Sequence, residues 1–254
     1  MNDSDTDFDP WARHAYEPGG SDALVFYVLF AGADVAPSLE VSAERHRTRG
    51  LPEGVHLLLR SRDDDTWTSA DFAAHAADAA YAAAARADLQ FVLAGSVIDP
   101  LSLDYLRDVI GVATALLEAG ASAVFDIQTL RLFTAEEFIR EVFAPDAPER
   151  DAHIAFLRSD DDAREGRSWF HTRGMRKFGR PDISIRNVPD EFAEQAALLL
   201  HRFAELGIRG ARIPEGQRVV KDGFPEGYTC HHAGSLDDPE FNNVHLELRA
   251  PRAS

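Results

Sequence analysis

Eight consecutive apolar residues, Ala23 to Phe30 (ALVFYVLF), lie between Gly20 and Gly32. A run of that length bounded by glycine reads as a fully buried β-strand. Such a strand needs other layers packed against it, so a layered fold follows before any other residue is considered.

Comparable runs recur along the chain. VHLLLRS from Val55, DLQFVLAGSV from Asp88 and SAVFDIQTL from Ser122 predict further strands. TSADFAAHAADAAYAAAARA predicts an alanine-rich helix capped by Thr68 or Ser69, with Phe72, Ala76, Ala80 and Ala84 on one face. Asp99 and Pro100 predict the N-cap and first turn of a second helix; Leu106, Ile110, Ala113 and Leu117 recur along it and Gly120 is its stop. A third helix is expected from Pro189 and Asp190, with Phe192, Ala196, Leu199, Phe203 and Leu206 on one stripe and Gly207 as its end. HIAFLRS, RSWFHTRG, PDISIRNV, RVVKDG, YTCHHAG and NVHLELRAP make the C-terminal half strand-rich.

The fold class expected is therefore α+β, with two sheet-plus-helix layers. Residues 1–21 read as an acidic, flexible arm that docks at most through Trp11 and Tyr16. Residues 22–147 form an N-terminal α/β half and residues 148–254 a C-terminal α+β half, joined by the Pro-containing stretch APDAPERD; one compact domain is the alternative. The similar make-up of the halves raises a distant structural repeat, without a residue-level repeat to establish it.

Charge narrows the partners. The 254 residues carry 43 Asp and Glu against 26 Lys and Arg, a formal net charge of −17. That field opposes phosphate backbones and anionic lipid, so neither nucleic acid nor a membrane surface is expected; a basic protein or a divalent metal cation is easier to accommodate. Cys230 is the single cysteine, the first residues are acidic and polar, and no apolar run approaches the roughly 18 residues of a membrane span. A cytoplasmic location is expected.

Two stretches could carry chemistry. In WFHTRGMRKFGRPDISIRNVP the glycines Gly174 and Gly179, with Pro181, suit a tight connection between strands, which leaves His171 unexplained. Trp169, His171 and Arg173 share one strand face. In YTCHHAGSLDDPEFNNVHLELR, His245 and Glu247 are two apart on a strand and present an imidazole and a carboxylate to the same side. With His231 or His232 they form a candidate divalent-metal set, and His171, His245 and Glu247 a candidate catalytic set. A half-buried strand alternates in the same way without function. Cys230 becomes a nucleophile only with an imidazole beside it. Asp126, inside an apolar strand, needs a partner such as Arg131. The triplets at Asp63–Asp65 and Asp160–Asp162 lack calcium-loop spacing and read as solvated turns. The chain has no phosphate-binding glycine loop, dinucleotide fingerprint, nucleophile elbow or His-Glu-x-x-His helix.

LLEAGASAVFDIQTLRLFTAEEFI followed by FHTRGMRKFGRPDISI resembles an uncharacterised bacterial domain family over about residues 110–190. Its motifs are an alanine-rich helix, Gly-Ala, a strand, an aromatic/Pro turn and a helix, then a His/Asn-Thr-x-Gly strand and a Gly-x-Pro-Glu/Asp strand. Here these are His171-Thr172-Arg173-Gly174 and Gly179-Arg180-Pro181-Asp182, with aspartate where glutamate is more usual. The resemblance implies an α+β bacterial cytoplasmic domain of unknown activity and carries over no catalytic residue. Two functions are expected from the whole reading. One is a non-catalytic protein-binding or regulatory domain of the immunity type, meeting a basic partner. The other is a metal-dependent or acid/base enzyme using the His/Glu cluster on a small molecule.

Overall fold

The computed structural model describes residues 10–33, 39–61, 78–160, 166–238 and 240–251. The fold is mixed α+β with two five-stranded sheets. The chain divides into two compact units, Met1–Ala12 with Leu24–Glu149 and Arg13–Ala23 with Arg150–Ser254.

The first unit contains, in chain order, β1 (Ala23–Ala31), α1 (Ala43–His46), β2 (Val55–Ser61), α2 (Ala79–Arg86), β3 (Leu89–Val97), α3 (Asp104–Glu118), β4 (Ala121–Asp126), β5 (Arg131–Thr134) and α4 (Ala135–Phe138). A π-helical turn, Ile139–Phe143, continues α4. The sheet order is β2-β3-β1-β4-β5. β1 is the central strand, which explains its unbroken apolar run. Ala80 and Ala84 of α2 pack into a cluster with Val28, Phe30, Val92, Ala123, Phe125 and Leu132; their small side chains let the helix approach the sheet. α3 is buried almost from end to end. A Cβ at Gly111 of α3 would lie 2.2 Å from the His46 carbonyl oxygen, so only glycine admits the turn after α1 at that point.

The starts of two helices differ from the sequence reading. α3 begins at Asp104, because Asp99 sits at φ 22° and residues 100–103 turn back against Trp11. Trp11 N–H donates to Asp104 Oδ1 at 2.9 Å, and Leu103 N–H donates to the Trp11 carbonyl at 2.8 Å. Gly120, at φ 116°, follows the C-cap as expected. The described part of the alanine-rich helix is capped by Asp78, whose carboxylate accepts from Ala80 N–H at 2.9 Å. Its expected start at Thr68 or Ser69, with Phe72 and Ala76, lies outside the described residues, as do Asp63–Asp65, Asp161, Asp162 and residues 1–9.

The second unit contains α5 (Arg150–His153), β6 (Ala155–Asp160), β7 (Arg167–Arg173), β8 (Asp182–Pro189), α6 (Ala193–Ile208), β9 (Thr229–Ala233) and β10 (His245–Arg249). The order is β6-β7-β8-β10-β9, with β8 and β10 parallel. The two sheets match in strand number but not in wiring. RVVKDG forms no strand; Arg218 makes a single bridge to Thr229. α6 runs past Gly207, which is buried with Met175 Cε 2.4 Å from where its Cβ would be, and the chain turns instead at Gly210, φ 94°. Two buried guanidiniums take up the carbonyls that the helix end leaves free. Arg13 donates to the carbonyls of Phe178 (2.9 Å) and Gly207 (3.0 Å), and Arg180 to those of Gly210 (2.7 Å) and Glu17 (2.9 Å). Residues 13–21 are thereby held in place where the sequence suggested a solvated arm.

Candidate functional site

The register of the second sheet places His171 beside Ser184, Ser184 beside Glu247, and Glu247 beside His231. In-register residues on neighbouring strands point the same way, so these four form one row across β7, β8, β10 and β9. His245 joins that face two residues before Glu247. The opposite face carries Phe170, which lines a cleft with Ala197, Leu200 and His201 of α6.

The connection between β9 and β10 folds over the row. Asp238 Oδ1 accepts from the N–H groups of Glu240 (2.9 Å) and Phe241 (3.3 Å), and Arg173 donates to the Glu240 carbonyl at 2.9 Å. Arg176 donates to the Asn242 carbonyl at 2.8 Å. Phe241 is held as a buried plug: its ring stacks on His245 at 4.4 Å and meets His171 edge-on at 5.7 Å. Trp169 stacks on His171 at 3.9 Å, also meets Phe241 edge-on at 5.9 Å, and donates from Nε1 to Ser184 Oγ at 2.9 Å. Arg186 lies over Trp169 at 3.9 Å and pairs with Glu240 at 2.8 Å.

This packing governs the candidate acid–base groups. His171 is 8% exposed, and its Nδ1 has no hydrogen-bond partner among the described residues. Burial, then the charges of Arg173 and Arg186, push it down to about 4, so it is neutral at pH 7. His245 is also held below the usual imidazole range by burial, against the opposing pull of Asp238 and Glu247; its Nδ1 lies 4.0 Å from Asp238 Oδ2. Glu247 accepts from Arg249 at 2.7 Å.

The metal set does not assemble. His231 is engaged at both ring nitrogens, by Glu215 at 2.6 Å and Thr229 Oγ1 at 2.9 Å. His232 faces the other side, in register with Leu246, and its Nε2 donates to the Ile213 carbonyl at 2.8 Å. Among the described residues no group of three or more His, Cys, Asp or Glu side chains is placed to hold a metal ion. Sequence spacing suggested otherwise because it gives the face of each residue on its own strand but not what the side chain bonds. Cys230 is buried opposite Leu248, and burial reinforced by Glu215 pushes its thiol up to about 11, which leaves no thiolate for nucleophilic work.

The sequence reading missed the most deeply built polar group. Asp182 is fully buried and accepts hydrogen bonds from Thr172 Oγ1 (2.9 Å), Met175 N–H (3.2 Å) and Asn243 Nδ2 (2.8 Å). Burial raises its carboxyl to about 6, although these three donors pull the other way. Thr172 Oγ1 in turn accepts from Ile183 N–H at 2.9 Å. The cluster ties β7, the short turn Met175–Phe178, the start of β8 and the segment before β10 together. The His-Thr-x-Gly and Gly-x-Pro-Asp motifs are thus the two sides of one structural latch. The available signal was a carboxylate between a proline turn and the apolar ISI of β8, a place where charge is costly without donors. Asp126 is a smaller case of the same kind: it ends β4 in register with Arg131 and accepts from Gln128 N–H at 3.0 Å.

Charge is unevenly divided between the units. The first has 24 Asp and Glu against 9 Lys and Arg, while the second has 19 against 17. No helix among the described residues is long and apolar enough to cross a membrane. Comparison with family models, with characterised proteins and with solved structures found no match.

Proposed function

We propose that this is a non-catalytic protein-binding domain of the immunity or regulatory kind, acting in the cytoplasm on a basic protein partner. The observation that carries the reading is the concentration of acidic residues in the first unit, 24 against 9 basic ones. A field of one sign attracts an oppositely charged partner and speeds its encounter. The engagement of Glu247, His231 and Asp182 with neighbouring groups, and the covering of His171 by Trp169 and Phe241, supports the same reading. These groups serve packing and hydrogen bonding within the second unit.

The test is affinity capture with two charge-reversed variants. Changing Asp63, Asp64 and Asp65 to Lys alters the acidic unit, and changing Asp160, Asp161 and Asp162 to Lys alters the nearly balanced one. A captured protein of basic composition that the first variant loses and the second retains is the expected result. Capture that survives the first variant, or a partner that is not basic, refutes the reading.

A further inference from the structure

Glu240 and Phe241 lie in the connection between β9 and β10, and each is held on the second sheet by its own set of groups. Glu240 is gripped at two points: Arg186 pairs with its carboxylate at 2.8 Å, and Arg173 donates to its backbone carbonyl at 2.9 Å. The Phe241 ring is 3% exposed and touches the rings of Trp169, His171 and His245. All five receiving side chains come from β7, β8 and β10, so the sheet supplies them and the connection fills them. Two guanidiniums beside a group of aromatic rings, occupied by an acidic residue and the phenylalanine after it, have the chemistry of a peptide-recognition site with a peptide in it.

The fit is incomplete. His171 Nδ1 and His245 Nδ1 are buried without a hydrogen-bond partner among the described residues, whereas buried polar atoms in folded proteins are as a rule satisfied. The grip on the carboxylate is also open to solvent, with the Arg186 and Glu240 side chains 39% and 50% exposed. Ion pairs in that setting contribute little, so a competing carboxylate has little to overcome there. A competing ring in the next position restores the apolar contacts that Phe241 gives up.

Charge selects the guest. With Glu240 lifted away, Arg173 and Arg186 stay on the sheet, and the charge of each is felt at His171. Glu247, on the same face, is paired with Arg249 at 2.7 Å, and Asp237 and Asp238 belong to the connection itself. A basic segment would meet like charge, and a purely apolar one would leave Arg186 without its carboxylate.

We propose that Glu240 and Phe241 are the displaceable occupant of a recognition site for a partner segment in which Asp or Glu is followed directly by an aromatic residue. The site lies within the second unit and stands independently of the acidic first unit. The guest's carboxylate replaces Glu240 on Arg186, its carbonyl accepts from Arg173, and its ring enters beside Trp169, His171 and His245. Affinity in the wild type is reduced by the fraction of molecules whose own pair is seated, so loosening that pair raises it.

The probe is a fluorescent peptide, Ser-Gly-Glu-Phe-Gly-Ser, blocked at both ends; its companions replace Glu by Gln or Phe by Ala. Binding is read by anisotropy in the wild type, in Glu240→Gln, in the combined Glu240→Ala and Phe241→Ala variant, and in Glu240→Gln carrying Arg186→Gln. Glu240 and Arg186 are partly exposed, so the Gln variants keep the test open if the combined variant fails to fold. The Glu–Phe peptide is expected to bind Glu240→Gln several-fold more tightly than the wild type, and the combined variant at least ten-fold more tightly. Arg186→Gln and each companion peptide should lose about ten-fold. Equal affinity for wild type and Glu240→Gln, or no saturable binding to any variant, overturns displacement. Companions that bind as well as the Glu–Phe peptide overturn the recognition chemistry. Self-association of the wild type that the combined variant abolishes makes a second copy the guest and overturns the choice of partner.

Discussion

His171 and Asp182 titrate in the same acidic window with opposite effects on stability, and removing either one exposes the other. In the unfolded chain His171 takes up a proton near pH 6.5, whereas in the folded protein it resists until about 4. Its contribution is present above pH 6.5 and is lost as pH falls towards 4; the full difference is about 3 kcal/mol, and about 2 after allowing for the solvent that reaches part of the ring. Asp182 behaves in the reverse sense. Its folded carboxyl is raised to about 6 from an ordinary 3.8, so its contribution is complete below pH 3.8 and lost as pH rises through 6, again by about 3 kcal/mol. The two nearly offset each other between pH 4 and 6. His171→Phe keeps a ring against Trp169 and Phe241 but cannot titrate, and Asp182→Asn keeps the shape but cannot ionise. Urea denaturation from pH 4 to 7.5 should show stability of the His171→Phe protein falling with rising pH relative to wild type, by about 2 kcal/mol. The Asp182→Asn protein should rise relative to wild type by about 3 kcal/mol, whatever its absolute stability. Parallel profiles for all three proteins would refute the assignment of these two groups as buried and opposed.

Other perturbations follow from single contacts. Gly111→Ala should destabilise by about 2 kcal/mol or more despite the better helix propensity of alanine, because the new methyl meets the backbone carbonyl of His46; thermal melting reads the loss. Cys230 should react with a thiol reagent at pH 8 only at the rate of unfolding, and rapid labelling of the native protein would contradict its burial and raised pKa. Arg180→Ala should cost about 2–4 kcal/mol, since it leaves the carbonyls of Gly210 and Glu17 without their charged donor, and should open residues 13–21 to limited proteolysis.

Much of the strand framework was legible because each strand is a short apolar or alternating run. β1 and β3 through β10 nevertheless differ in how well they announce themselves. β5 escaped notice, and the helix at α4 came only from the resemblance although Thr134 and Glu137 spell a capping box; the structure closes both of its bonds: Thr134 N–H donates to Glu137 at 2.8 Å and Glu137 N–H to Thr134 Oγ1 at 3.2 Å. Glycine and the Asp-Pro pair misled where tertiary contact set their role. Gly207 admits Met175 instead of ending α6, and Asp99-Pro100 belongs to a turn held by Trp11.

The candidate site was legible only by face. Period-two reasoning places His245 and Glu247 together, and the register adds His171 and His231 to the same side. It says nothing of Arg249 on Glu247, Glu215 on His231 or Phe241 over His171, because those partners come from side-chain geometry and from distant segments. The charge asymmetry between the units was hidden for a related reason: a chain-wide total of −17 has no location until the units are known.

The most direct test of the account is the association rate of the captured partner measured against ionic strength. If the acidic first unit draws in a basic protein, the association rate should fall by about ten-fold or more between 0.05 and 0.5 M salt while dissociation changes little. An association rate indifferent to salt, with the affinity unaltered, would contradict the central claim.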